Sequence, residues 1–161
     1  METTKFSIHK MGIEDVQNFI NLRLRFALEL SGEKRENLIL QLRQQFEYYF
    51  NKATPAQTLI SFCAMCEGEC VGIGSMLIRE QPGNFKNLNG KWGYIMNMYT
   101  LPQFRRIGIC QSILNSLVEE AKNLGVEALE LHATPEGEKV YLPNGFQLHT
   151  EPTYRKYLKN E

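Results

Sequence analysis

The sequence predicts a mixed α/β domain, with a central, mostly antiparallel β-sheet of about six to seven strands flanked by about four helices. Three observations carry this. Residues 92–101, Trp-Gly-Tyr-Ile-Met-Asn-Met-Tyr-Thr-Leu, form an apolar, aromatic run ended by Pro102, the pattern of a largely buried strand. After the turn Pro102–Cys110, the residues Ile113, Leu114, Leu117, Val118, Ala121 and Leu124 recur at intervals of three and four, with Gly125 as a stop, which is the stripe of an amphipathic helix. Upstream, two apolar runs, Thr58–Cys66 and Cys70–Arg79, flank Glu67-Gly68-Glu69, a hairpin signal.

In chain order, Phe6–Lys10 alternates as a first strand and Gly12 ends it. Glu14–Leu30 is a helix with a broad apolar face from Val16 to Leu30, stopped by Ser31-Gly32; its polar residues Arg23, Arg25 and Glu29 read as a solvated face. Glu36–Phe50 is a second helix, with Leu38, Leu42 and Phe46 at helical spacing. The row Tyr48-Tyr49-Phe50 exceeds one core stripe, so either it packs at the helix end or part of it forms a pocket or subunit contact compatible with a homodimer. Gly72 and Gly74 weaken the second hairpin strand and permit close approach of another backbone or a ligand. The polar, turn-rich Gln81–Gly90 is expected to be a mobile loop. Ala128–Thr134 follows as a strand, Glu136–Leu142 as a helix, and Phe146–His149 and Tyr154–Leu158 as two closing strands around Glu151-Pro152. Without repeats or linkers, residues 1–161 read as one domain.

The turn carries the chemistry. A strand feeding a helix through a glycine-containing turn leaves main-chain N–H groups unpaired where the helix dipole favours negative charge. Arg105 and Arg106 add fixed positive charge, a combination suited to a pyrophosphate or phosphate ester. The turn is neither a P-loop, since no Gly-Lys-Ser/Thr follows, nor a GxGxxG dinucleotide site. Taken alone, the turn also fits a solvated arginine pair at a helix start.

The order of segments resembles the GCN5-related N-acetyltransferase (GNAT) superfamily: an apolar strand, Leu101-Pro102-Gln103-Phe104-Arg105, Gly108, a helix, the strand from Ala128, and then Val140-Tyr141-Leu142-Pro143-Asn144-Gly145-Phe146. Arg105 and Gly108 match the family loop Arg/Gln-x-x-Gly-x-Gly/Ala, Cys110 stands where Gly or Ala is usual, and Tyr141 to Phe146 has the spacing Tyr-x-x-x-Gly-Phe. The resemblance implies acetyl-CoA as co-substrate. It implies that main-chain groups of Met98, Tyr99 and Thr100 pair with the pantetheine arm as an added strand. It implies that Arg105, Arg106, Ile107, Gly108, Ile109, Cys110 and Gln111 wrap the pyrophosphate, with Cys110 tolerated if its φ is negative. It gives Tyr141 the role of acid toward the departing thiolate, against the alternative of a core or rim aromatic; an unperturbed phenol, with a pKa of about 10, is protonated at neutral pH. The acceptor implied is a primary amine of a small molecule or peptide, bound by the first two helices and the loop Gln81–Gly90. A CoA-binding sensor without turnover is the alternative. Tyr94, His132 and His149 are the titratable candidates for a base, and none is assigned.

Bulk properties exclude other classes. Lys plus Arg equal Asp plus Glu, 18 against 18, so no global field draws the chain to nucleic acid or an anionic membrane. There is no apolar run of about 18 residues, and the polar start Met1–Lys5 lacks a signal-peptide pattern, so a cytoplasmic location is expected. Cys63, Cys66 and Cys70 cluster, but no histidine or fourth thiol lies at zinc-like spacing, and strand alternation puts Cys63 and Cys66 on opposite faces. Packing is the reading, and no metal is expected.

Overall fold

The apolar runs around Glu67 and Gly68 form β2 (Leu59–Cys66) and β3 (Glu69–Glu80), an antiparallel hairpin, within a computed structural model that describes residues 5–159. Most of the polar start considered above, Met1–Thr4, lies outside the described residues. β1 (Ser7–Lys10) adds antiparallel to β2, and β4 (Lys91–Thr100) adds antiparallel to β3. β5 (Ala128–Leu131) joins β4 in parallel, because the chain returns through the crossover helix α3 (Ile109–Asn123). The strand order is β1-β2-β3-β4-β5. Two further helices, α1 (Val16–Ser31) and α2 (Glu36–Ala53), precede the hairpin, and α4 (Pro135–Tyr141) follows β5.

The predicted stops hold for physical reasons. Gly32 adopts φ 65° and donates its N–H to Leu28 O at 2.8 Å, which closes α1 with a left-handed cap. α2 runs past Phe50 to Ala53, since both residues are buried and ending at Phe50 would forfeit that burial. The row Tyr48-Tyr49-Phe50 does not make an aromatic patch. Phe50 is fully buried with its ring 4.5 Å from Phe19, Tyr49 is half-buried, and only Tyr48 faces out, with Lys52 5.8 Å from its ring. Of that row only Tyr48 is left as exposed aromatic surface.

α3 and α1 cover opposite faces of the sheet. Gly72 and Gly74 face α3, where a Cβ on Gly74 would stand 2.5 Å from both Ile113 Cγ2 and Met98 Sδ, and one on Gly72 2.7 Å from Ile109 Cγ2. These glycines let the helix approach the strand. Gly74→Ala is therefore expected to cost about 1–3 kcal/mol through overpacking, read as a lower urea midpoint with an unchanged slope. On the other face Tyr99, paired with Ile73, packs its ring 5.4 Å from Phe26 of α1.

Two expectations are corrected. The sheet has five strands, because residues 146–149 and 154–158 pair with no neighbour among the described residues. Alternating sequence predicts extended backbone; a strand also needs an edge to bond. Gln81–Gly90 is not a loose loop. Gln81 N–H donates to Gly90 O at 3.0 Å, Asn84 and Asn87 bridge one another, and the buried Asn87 Nδ2 donates to Lys91 O at 3.1 Å. Gly90, at φ 70°, closes this clasp where a Cβ would lie 1.8 Å from Gln81 O. No helix among the described residues is long and apolar enough to cross a membrane.

Candidate active site

The site begins as a defect in pairing. β4 and β5 run together from Trp92↔Ala128 to Ile95↔Leu131; beyond Ile95, β4 has no neighbour on that side among the described residues. On its other side Ser75 pairs with Met96 and Ile73 with Tyr99, so Asn97 and Met98 share the place opposite Gly74, a bulge with Asn97 at φ 59°. A bulge bends its strand, and this one lies just past the last β4–β5 pair, so the end of β4 is left with an open edge and a cleft where the two strands no longer pair. Leu101 N–H donates to Val71 O at 2.9 Å, so alternation points the main-chain groups of Thr100 and Met98 to the open edge, while those of Tyr99 face β3. Of the three residues expected at an added strand, Met98 thus turns its main-chain groups to the open edge and Thr100 its N–H, while Thr100 O accepts from Arg105 Nε at 2.9 Å.

The turn closes the cleft at one end. A 3-10 turn at Pro102–Phe104 leads into Arg105, Arg106 at φ 67° and Gly108 at φ 91°. Among the described residues, no main-chain N–H from Arg106 to Gln111 has an acceptor, the first helical bond being Ser112 N–H to Gly108 O at 3.0 Å. A Cβ on Gly108 would meet nothing within 4 Å, so the space beside Gly108 at the head of α3 is open. Cys110 lies inside α3 and has no positive φ, which meets the condition set for a cysteine there. Arg106 carries the left-handed conformation instead, at a strain of about 1 kcal/mol.

The two arginines are not equivalent. Arg105 donates Nε to Thr100 O at 2.9 Å and Nη2 to both Glu29 carboxylate oxygens, at 2.8 and 3.0 Å, while Tyr99 OH donates to Glu29 Oε2 at 2.8 Å. Hydrogen bonds from Arg105 and then Tyr99 hold the Glu29 carboxyl below the usual carboxylate range. The charge of Arg105, expected beside the amides, is thus paired with Glu29, and the pair clamps the end of β4 to α1. Arg106 is exposed and makes no ion pair among the described residues. Glu29, read as a solvated residue, is part of this clamp; its position on α1 gives no sign of a partner so distant in sequence. Arg23 is likewise drawn inward, over the rings of Phe46 at 5.1 Å and Phe26 at 5.6 Å, and burial lowers its pKa.

Tyr141 and the loop, far apart in sequence, meet. Tyr141 ends α4, is 8% exposed and sets its ring edge-on to Phe146 at 5.8 Å. Burial pushes its phenol well above the ordinary tyrosine range, and the neighbouring Cys110 thiol adds to that push. Burial also raises the Cys110 thiol, so cysteine sits there as a neutral packing group. Gln111 and Asn144 lock the two segments by a reciprocal amide pair, 2.8 Å in each direction. The remaining titratable candidates are separate. Tyr94 OH and His132 Nδ1 are 2.9 Å apart on the face of α1 and α2, with Arg79 5.0 Å from the Tyr94 ring and paired with Glu130 at 3.1 Å. His149 lies in the exposed C-terminal segment. Cys63, Cys66 and Cys70 are buried free thiols, and no metal-holding group of three His, Cys, Asp or Glu occurs among the described residues.

Comparison with known proteins agrees with this geometry. A model of the Acetyltransferase (GNAT) family matches residues 23–143. A predicted acetyltransferase with acetyl-CoA from Clostridium acetobutylicum superimposes at a TM-score of 0.85 and 26% identity, over 94% of this chain and 96% of that one. A GCN5-related N-acetyltransferase from Ralstonia eutropha JMP134 gives 0.81 and 21%, over 94% and 99%. A glucosamine-6-phosphate N-acetyltransferase from Arabidopsis thaliana gives 0.72 and 21%, over 96% and 99%. No sequence among the curated proteins matches the chain.

Proposed function

The chain belongs to the acetyltransferase (GNAT) family, and on that premise we propose that it moves an acetyl group from acetyl-CoA to a primary amine of a small molecule or peptide by direct transfer, acting as one cytoplasmic domain. One observation supports this most: the unpaired edge of β4 and the unbonded amides of Arg106–Gln111 bound one cleft, with Tyr141 beside them.

In this reading the open edge at Met98 and Thr100 takes the amide groups of the pantetheine arm, with Tyr99 backing them, as a peptide adds to a sheet edge. Main-chain N–H groups of Arg106, Ile107, Gly108, Ile109, Cys110 and Gln111 hold the pyrophosphate at the positive end of α3, and Arg106 supplies the free charge. Arg105 contributes by fixing the loop. The donor group fits, since the amides are uncommitted and Gly108 leaves room in front of them. The amine enters from the face of α1 and α2, where Arg79, Tyr94 and His132 stand. Its nitrogen attacks the thioester carbonyl carbon, the carbon–sulfur bond breaks, and Tyr141 gives its proton to the leaving sulfur. The proton lost by the amine leaves through water, and no side chain is assigned as base.

Acetyl-CoA at about 100 times its dissociation constant is expected to stabilise the protein by roughly 2.7 kcal/mol, a shift visible in a thermal melt. Free-thiol release on adding an amine panel then reports turnover. No shift from acetyl-CoA or CoA would overturn the donor assignment. A shift without thiol release for any amine would favour a sensor.

A further inference from the structure

The arginines on the α1 face of the sheet are held in different ways. Arg105 is bonded to Glu29 and Thr100, and Arg79 is paired with Glu130 at 3.1 Å. Arg23 has no such partner. It is half-buried at the seam of α1 and α2, its guanidinium carbon 5.1 Å from the centre of the Phe46 ring and 5.6 Å from that of Phe26. Neither an ion pair nor a side-chain hydrogen bond reaches it among the described residues. Its nitrogens are not among the sealed, unbonded polar atoms, so they keep a path to solvent. Aromatic faces hold a guanidinium in place but satisfy none of its in-plane N–H donors. Burial lowers its pKa, and no acidic neighbour offsets that. A partly desolvated cation whose donors are open is built to take an anion, since a counter-charge recovers free energy that burial alone has cost.

Its place in the fold says which anion. Phe26, one wall of Arg23, sets its own ring 5.4 Å from Tyr99, and Tyr99 stands between Met98 and Thr100 where β4 has lost β5 as a neighbour. The guanidinium is therefore one ring removed from the cleft, on the face by which the amine enters in the reading above. Resting on that reading, we propose that Arg23 binds an oxyanion of the acceptor, a carboxylate or a phosphate, so that the substrate is an amine carrying a negative charge. The planar fork of a guanidinium matches two oxygens of either group. Arg25 on α1 and Arg43 on α2 add positive charge to the same two helices, which draws an anionic amine and repels a polycationic one.

The test uses the full-length protein and matched amines, alanine against alaninamide and O-phosphoethanolamine against ethanolamine, each with acetyl-CoA and read by free-thiol release. The anionic member of at least one pair is expected to have a kcat/KM higher by roughly 10- to 100-fold, and which pair responds tells carboxylate from phosphate. Arg23→Met keeps an unbranched stem between the rings and removes the donors. It should raise KM for the anionic member by a similar factor with kcat little changed, which abolishes the preference, and Arg23→Lys should restore part of it. A merely structural Arg23 would lower the melting point and affect both members alike. A second measurement needs no turnover: the Arg23 side-chain Nε–H resonance, assigned by its loss in Arg23→Met, should move and saturate on titration with acetate or with inorganic phosphate. A resonance unmoved by both anions overturns the proposal even in a protein that acetylates amines. So does a kcat/KM equal or higher for the neutral members, and so does a preference that survives Arg23→Met. A moving resonance in a protein whose melt ignores acetyl-CoA supports the anion site and strikes only the donor reading.

Discussion

Tyr141→Phe is expected to lower turnover by about 100- to 10,000-fold, the usual worth of a positioned proton donor, while acetyl-CoA binding stays nearly unchanged. The substitution removes only the hydroxyl. The ring remains edge-on to Phe146 and in its buried place at the end of α4, so the change is not a cavity. Burial sets the sign of the pH dependence as well. With the folded phenol raised above its ordinary value of about 10, the proton is present across the neutral range and beyond, so the wild-type rate should show no alkaline fall near pH 10 that belongs to this group. Steady-state kinetics and a CoA titration on the same variant separate the outcomes. Full turnover removes Tyr141 from the acid role, and a loss confined to CoA affinity makes it a wall of the donor site.

Phe50→Ala is expected to be the most damaging single change to stability, at about 3–5 kcal/mol, or a melting point lower by about 6–20 °C for a chain of this size. Phe50 has no exposed surface, and its ring lies 4.5 Å from Phe19, so it joins α2 to α1 over the sheet. Truncation leaves a void beside Phe19, between α2 and α1. Urea unfolding followed by tryptophan fluorescence measures the loss. Tyr48→Ala, two positions away and exposed, should change the midpoint little, and equal losses at both positions would contradict the division of this aromatic row between core and surface.

Much of the site was legible because its parts are local. Arg105 and Gly108 stand at a turn spacing, Tyr141 and Phe146 at a helix-end spacing, and the run from Trp92 to Leu101 shows its burial by composition. Contacts between these parts were not legible. Nothing in the residues near Glu29 marks it as the partner of Arg105 and Tyr99, and nothing near Gln111 points to Asn144, because such pairs depend on how helices seat on the sheet. The bulge at Asn97 was hidden for the same reason, since it is defined by two strands together.

The sequence by itself determined the order and type of almost every element, the turn that frees the amides before α3, and the family motifs, since each of these is an interaction between near neighbours in the chain. Only the tertiary structure decided which arginine is ion-paired, which main-chain groups of β4 stay open, and that the two C-terminal runs pair with no edge among the described residues. Those outcomes depend on register and on which edges remain free, and both are set by residues far apart in sequence.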